Sequence, residues 1–247
     1  MKRMLLWLAV VWSVAGCTAT DESPDRGDVE IPDPVFRAYC LRRFDRNGDG
    51  VLSDAEARKV RTVDCRETDV ASLVGIERFP NLDSLICMGC RSLRELDVSA
   101  NRSLRVLICH DCDLRSLDLT YNPALEKLGC GWNPRLLVLN VSRNPRLTLL
   151  SCSNLNLLTL NVSRNFRLDT LICGDNRFIS LDVTRNRELL WLDVSRGWRF
   201  RSTEKLDVSH CPKLRRLDCE NVQSLVLRRG QVIPEMYVVG CGIHYRD

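Results

Sequence analysis

Two short stretches of the chain share a C-x-x-C: SLICMGC, residues 84–90, and VLICHDC, residues 106–112. Eighteen residues lie between Cys90 and Cys109, a spacing usual for zinc sites, where thiolates converge as a tetrahedron. The chain holds thirteen cysteines, so either a metal or some other rule places them. A second stretch, DRNGDGVLSDAE at residues 45–56, is rich in oxygen donors and fits D-x-[DN]-x-[DN]-G-x₅-E. Calcium takes about six to eight oxygens from a tightly turned loop. Asp45, Asn47 and Asp49 would offer side-chain oxygens and Val51 its carbonyl. Ser53 would give a direct or water-mediated contact, and Glu56 a bidentate carboxylate. Gly50 permits the turn, and Leu52 is an apolar anchor for it. Ser53 and Glu56 also make an S-x-x-E capping box, which by itself describes a capped turn without an ion.

The calcium stretch resembles an EF-hand at every diagnostic position. Its flank agrees: Asp33-Pro34 is a good helix start, and Phe36, Tyr39, Cys40 and Phe44 recur at helical spacing. With one loop visible, the resemblance implies a structural calcium site rather than a sensor that opens a helix pair.

Catalysis has little support. The histidines are His110 and His210, in variable turn positions, and His244 near the end of the sequence. No family signature surrounds any Cys/His or Ser/His/Asp combination.

The elements that position these groups follow from a repeat. Leu85-Ile86-Cys87, Leu96-Asp97-Val98, Leu107-Ile108-Cys109 and Leu117-Asp118-Leu119 open a series that runs to Leu192-Asp193-Val194 in steps of ten or eleven residues. Two steps make a unit of 21–22 residues, and a fixed period of that size means a solenoid. The pattern L-x-x-L-x-[CVL]-x-x-[NC] resembles the leucine-rich repeat. More narrowly, LDVSxN alternating with LxCxxN is similar to the nested 21-residue repeats of Bacteroidetes surface proteins, which often carry an EF-hand-like segment ahead of the repeats. The resemblance covers about residues 61–240. It implies that Leu and the Cys/Val slot point inward, and that the following Asn bonds the turn backbone. That Asn slot holds Asn101, Asn122, Asn133, Asn144, Asn165, Asn176 and Asn186.

The repeat accounts for the cysteines. Cys65, Cys87, Cys109, Cys130, Cys152, Cys173 and Cys219 fall in one inward slot, shared with Val194 and Val238. A free cysteine serves there as a small apolar group. Cys90, Cys112 and Cys211 fall in the Asn slot. Stacked coils would line the sulfurs up in two columns rather than gather them round a zinc ion, and we expect a buried thiol ladder in preference to a run of disulfides.

At the start, MKRMLLWLAVVWSVAGC combines two basic residues, a short apolar run and small residues before Cys17. VAGC resembles the lipobox of bacterial lipoproteins, which implies cleavage before Cys17, acylation of Cys17 and membrane residence through the lipid anchor. Residues 18–34 are acidic and proline-rich, as expected of a disordered tether. Asp21 and Glu22 are similar to the export signals that send Bacteroidetes lipoproteins to the cell surface. The expected division is 1–16 signal peptide, 17–33 tether, 34–60 EF-hand-like segment and 61–247 solenoid with a C-terminal cap. The helical segment would cap the stack. Loss of Lys2 and Arg3 with the leader lowers the net charge from +4 to about +2, too weak a bias to suggest nucleic acid.

Two surfaces invite a partner. RGWRFRSTEK, residues 196–205, breaks the register and carries Trp198, Arg199, Phe200 and Arg201 outside the leucine slots. Such insertions become loops on one face, often the binding face, although the aromatics could equally fold over a coil edge. The second is a column of Asp97, Asp118, Asn140, Asn161, Asp182, Asp193 and Asp207 beside Ser/Thr and Arg columns, expected as a flat polar sheet. It serves either as a binding face or as a solubilising one. The fold expected is mainly β: a leucine-rich-repeat solenoid of short parallel strands with an N-terminal helical EF-hand cap. The function expected is non-catalytic binding of a protein or glycan at the bacterial cell envelope, anchored in the outer membrane. A purely structural envelope protein is the alternative, and a zinc protein or an enzyme stands behind that.

Overall fold

The computed structural model describes residues 27–177, 179–195, 203–220 and 222–247. Cys17 and the residues before it, and Trp198, Arg199, Phe200 and Arg201, lie outside the described residues.

The leucine triplets build two parallel sheets. The larger has nine strands: Thr62–Asp64 (β1), Ser84–Ile86 (β2), Val106–Ile108 (β3), Lys127–Gly129 (β4), Leu149–Ser151 (β5), Thr170–Ile172 (β6), Trp191–Asp193 (β8), Arg216–Glu220 (β10) and Glu235–Val239 (β12). Ser180–Leu181 (β7), Thr203–Asp207 (β9), Val222–Arg228 (β11) and Gly242–Arg246 (β13) form the smaller. Register is set by the leucines. Leu85 stands opposite Leu107, Leu107 opposite Leu128, and so on to Leu192 opposite Leu217. Each of these leucines is fully buried, so a one-residue slip would turn a whole row of leucines to solvent.

The ladder slot is as the repeat requires. Cys87, Cys109, Cys130, Cys152, Cys173 and Cys219 are fully buried and unbridged, and Cys65 nearly so. Burial pushes the thiols of Cys109, Cys130 and Cys152 well above the ordinary range, so they stay protonated. The Asn slot forms two further columns, one beside the Cys-type triplets and one beside the Val-type triplets. Asn122 Nδ2 donates to the carbonyls of Val98 (2.9 Å) and Asn101 (3.0 Å) one coil back. Asn144 and Asn165 repeat the contact on their own predecessors. On the ladder side, in the column of Asn133 and Asn176, Cys90 and Cys112 substitute thiols, which donate to the Cys65 and Cys87 carbonyls at 3.3 and 3.2 Å, and in the Asn122 column Cys211 lies 3.8 Å from the Val183 carbonyl. Near the end Gln231 takes the role with its longer side chain, reaching the carbonyls of Val208 and Cys211.

Two expectations need correction. The valine-type triplets do not form a continuous sheet. Around Leu96–Val98, Leu117–Leu119, Leu139–Val141 and Leu160–Val162 there is no ladder. Asp97 Oδ1 accepts the N–H of Ser99, and Asp118, Asn140 and Asn161 each hold the residue two further on in the same way. Asp193 and Asp207 make the same contact at the ends of β8 and β9, so it accompanies the triplet whether or not a ladder forms. A ladder exists on this side only from β7 onward, where β9 and β11 supply longer extended runs. At the C-terminal end β12 and β13 add the last strand to each sheet. Residues 28–33, expected in the tether, are packed: Val29 and Ile31 are buried, and Val29 N donates to Leu52 O at 2.8 Å.

The helical part is small. Pro34–Phe44 (α1) follows the N-cap Asp33, and Asp54–Ala57 (α2) is a single turn carrying the Ser53/Glu56 capping box. Phe36, Tyr39 and Cys40 of α1 join the core, and Tyr39 Oη accepts the Asp64 N–H from β1 at 2.8 Å. This contact closes the first edge of the large sheet, the part of a parallel stack most exposed to unwanted pairing.

Candidate functional site

In the large sheet, residues on either side of the buried leucine face outward. Those positions do not repeat. Ile86, Ile108 and Ile172 are half-buried along one row, and His110 extends the β3 end beyond Cys109. His110 is therefore part of the sheet face rather than a turn. Its ring lies over Gly129 and Gly131: a β-carbon built on Gly129 would stand 2.3 Å from His110 Nε2. The bare backbone of the next coil is the seat of the imidazole. Burial lowers its pKa, with a hydrogen bond to the Gly131 backbone acting the other way.

Past each ladder slot the chain leaves the sheet through a left-handed residue: Glu67 (φ 55°), Gly89 (78°), Asp111 (53°), Trp132 (58°), Asn154 (60°) and Asp175 (51°). Each donates its N–H to the next coil, as Trp132 does to Ser153 O at 2.9 Å. Gly, Asn and Asp tolerate this region, whereas a bulky aromatic there is a true outlier, at a cost of about 1–3 kcal/mol. Trp132 is that outlier, and 59% of it is exposed. With Glu67, Met88, His110, Asp111 and Ile172 it lines a groove on the outer face.

Farther along the same face, Arg216 lies between two aromatic rings, 4.8 Å from the Trp191 centroid and 5.6 Å from that of Tyr237. Arg216 Nε donates to Asp218 Oδ2 at 2.8 Å, and Trp191 Nε1 donates to the same oxygen at 2.9 Å. Asp193 stands opposite Asp218 in the ladder. Burial raises the Asp193 pKa, and Asp218 and Asp175 push it in the same direction.

The oxygen-rich loop is wound tightly on itself. Asp45 accepts the N–H of Gly48 (2.7 Å) and Gly50 (3.0 Å), and both glycines have left-handed φ. Asn47 accepts from Asp49 N, Asp49 from Val51 N, and Asn47 Nδ2 donates to Asp49. Glu56 folds back onto Arg46 N, Ser53 N and Ser53 Oγ. The loop is braced from behind by Leu52, which is buried, and by an antiparallel bridge between Asp28 and Ser53. An all-oxygen donor set on a loop turned by two glycines fits a hard cation in kind. Among the described residues no three His, Cys, Asp or Glu side chains gather as a metal cluster, so an ion here would also draw on Asn47 and the Val51 carbonyl.

Sequence reasoning missed Trp132, His110 with its glycine seat, and the Trp191–Arg216–Tyr237 stack. The signal was present in the residues flanking the Cys-type leucines, which vary from coil to coil while those flanking the Val-type leucines repeat. Among the described residues no helix is long and apolar enough to cross a membrane.

No model of a known protein family matches the chain, and no curated protein matches it in sequence. Solved structures do match in shape. The functional domain of InlJ from Listeria monocytogenes, described as including a cysteine ladder, is 23% identical with a TM-score of 0.53. The match covers 85% of this chain and 60% of that one, so the chain spans little more than half of the InlJ structure. Internalin C2 of the same organism is 15% identical, with a TM-score of 0.64 over 85% of this chain and 94% of its own. A leucine-rich-repeat protein of Leptospira interrogans is 16% identical, with a TM-score of 0.56 over 77% and 57%. At these identities the likeness speaks for architecture, and that architecture is a leucine-rich-repeat solenoid of short parallel strands with a minor helical segment at its N-terminal end.

Proposed function

We propose that the chain is a non-catalytic binding module of the bacterial cell envelope that recognises a protein through the outer face of its nine-stranded sheet. Trp132 carries this reading. A left-handed position that other coils fill with Gly, Asn, Asp or Glu holds an exposed tryptophan, and folding gains nothing from that choice. Trp, Tyr and Arg are the side chains that dominate interface energetics, and Trp132, Trp191, Arg216 and Tyr237 lie on one face. The internalin-like architecture supports the reading by analogy. The proposal keeps three expectations from the sequence: a lipid anchor on Cys17, structural calcium held by Asp45, Asn47, Asp49, Val51, Ser53 and Glu56, and a contact from Trp198, Arg199, Phe200 and Arg201.

The test is a screen of the chain against arrays of extracellular proteins and of glycans, followed by titration of any hit. Loss of affinity in Trp132→Gly, with Arg143→Ala/Arg164→Ala unaffected, supports the sheet face. Loss only in Trp198→Ala/Phe200→Ala moves the contact to the inserted segment, and a hit confined to the glycan array changes the partner class. For calcium, the measurement is a rise in melting temperature that Asp45→Ala/Glu56→Ala abolishes.

A further inference from the structure

The Asn slot lies three residues after the ladder slot. Cys90 follows Cys87 at that offset and Cys112 follows Cys109. Cys241 follows Val238 at the same offset, and Val238 is the register partner of Cys219. The stack therefore sets Cys241 directly over Cys219 of the preceding coil. Their sulfurs are 3.9 Å apart, and the Cys241 thiol lies 3.5 Å from the Cys219 carbonyl. The accessibilities differ. Cys219 is fully buried, as are most ladder thiols, whereas Cys241 is partly exposed. The coil that Cys241 belongs to is also the most weakly packed. Met236, Tyr237 and Val239 of β12 and Ile243 and Tyr245 of β13 are all exposed.

We propose that Cys219 and Cys241 are a disulfide site that staples this coil to the one before it, with Cys241 the thiol that meets the oxidant. The oxidant class is a small-molecule disulfide. Cys241 gives its proton to solvent, and its sulfur attacks one sulfur of the reagent. That S–S bond breaks, and the first small thiolate leaves and takes up a proton. Cys219 then loses its proton and attacks the Cys241 sulfur of the mixed disulfide, expelling the second small thiolate. Two protein thiols are oxidised, one reagent disulfide is reduced to two thiols, and protons balance. A bond of about 2.05 Å requires the sulfurs, now 3.9 Å apart, to approach, and the partly exposed Cys241 is the one with room to move. Burial raises the Cys219 pKa, so the second step is the slow one and speeds up as pH rises. The other Asn-slot thiols have the same offset but not the access: Cys90 is fully buried and Cys112 nearly so.

The experiment treats the reduced, folded full chain with oxidised glutathione, quenches with an alkylating reagent and maps peptides without reduction. The expected product is a Cys219–Cys241 cross-link. It should slow chymotryptic cleavage around Tyr237 and Tyr245 by about tenfold or more, because the linked coil no longer frays independently. In Cys219→Ser the reaction should stop at a stable glutathione adduct on Cys241, which confirms access apart from ring closure. Three results overturn the proposal: a persisting adduct on Cys241 in the wild type with Cys219 free, both thiols recovered alkylated, or Cys241 paired with a second chain.

Discussion

Asp33 Oδ2 accepts the backbone N–H of Ser72 at 3.0 Å, thirty-nine residues along the chain. The same oxygen holds Ala71 N, while Oδ1 caps α1 through Val35 N and Phe36 N. One buried carboxylate thus starts the helix and ties it to the start of the stack. Removing it strands four backbone donors, so Asp33→Ala should cost about 2–3 kcal/mol. Hydrogen exchange should quicken at Phe36 and Ser72 but not in the distant coils, since coils couple only to their neighbours. Unchanged exchange at Ser72 would contradict the bridging role.

The same carboxylate sets a pH dependence. Burial alone would raise the pKa of Asp33, but its four N–H donors prevail and hold it below the usual value. Glu56 behaves alike: burial raises, while donors from Arg46 and Ser53 lower it further. A folded pKa below the unfolded one means that the stabilising contribution is present above the ordinary carboxylate range. It is lost as pH falls through the folded values. The N-terminal segment should therefore loosen below about pH 4 before the coils do, and Asp33→Asn should flatten that acid limb. Circular dichroism with tryptic mapping across the pH range reads both.

The Asn column is a second point of leverage. Asn144 Nδ2 holds the carbonyls of Leu119 and Asn122, while its own Oδ1 has no partner among the described residues. Asn144→Ala removes one of the two donors at each carbonyl, Asn122 N and Leu125 N remaining, and should cost about 1–2 kcal/mol in denaturant unfolding. Asn144→Cys should recover part of that loss, because Cys211 occupies the equivalent position of the same column with its thiol 3.8 Å from the Val183 carbonyl. Equal losses for the two variants would argue against the donor role.

Two glycines separate backbone crowding from side-chain crowding. A β-carbon on Gly174 would stand 2.5 Å from the Ser195 carbonyl, whereas one on Gly129 meets mainly the His110 ring. Backbone in a stacked coil moves only with its neighbours, while an imidazole can turn away. Gly174→Ala should therefore destabilise by about 1–3 kcal/mol. Gly129→Ala should cost less but displace His110 from the groove, which its NMR titration would report as a pKa returning upward.

Trp132 offers a trade between folding and recognition. Glycine relieves the left-handed strain, so Trp132→Gly should leave stability unchanged or raise it by about 1 kcal/mol. Binding of any partner seated on this face should weaken by about 2 kcal/mol. A destabilised Trp132→Gly would mean that the indole packs for the fold.

The period of ten and eleven residues was enough, in the sequence alone, to specify the stacked coils, the inward leucines, the thiol ladder and the Asn columns. Each of these is dictated by contact between equivalent positions of neighbouring coils, and a repeat writes such contacts at fixed offsets. The Asp33–Pro34 helix start was legible for the same reason, because capping is local. The rest depended on how unlike positions meet. The LDV triplets read as strands, yet no ladder forms around Asp97, Asp118, Asn140 and Asn161, although Asp193 makes the same backbone contact inside β8. The second half of Asp33's work, with Ala71 and Ser72, needed the chain to return to its own start. His110 found its seat because Gly129 and Gly131 have no side chains in the next coil. Arg216 gained its aromatic neighbours from two different strands, Trp191 on one side and Tyr237 on the other. These outward residues escape the repeat because no core constrains them, and so their arrangement was left to the tertiary structure.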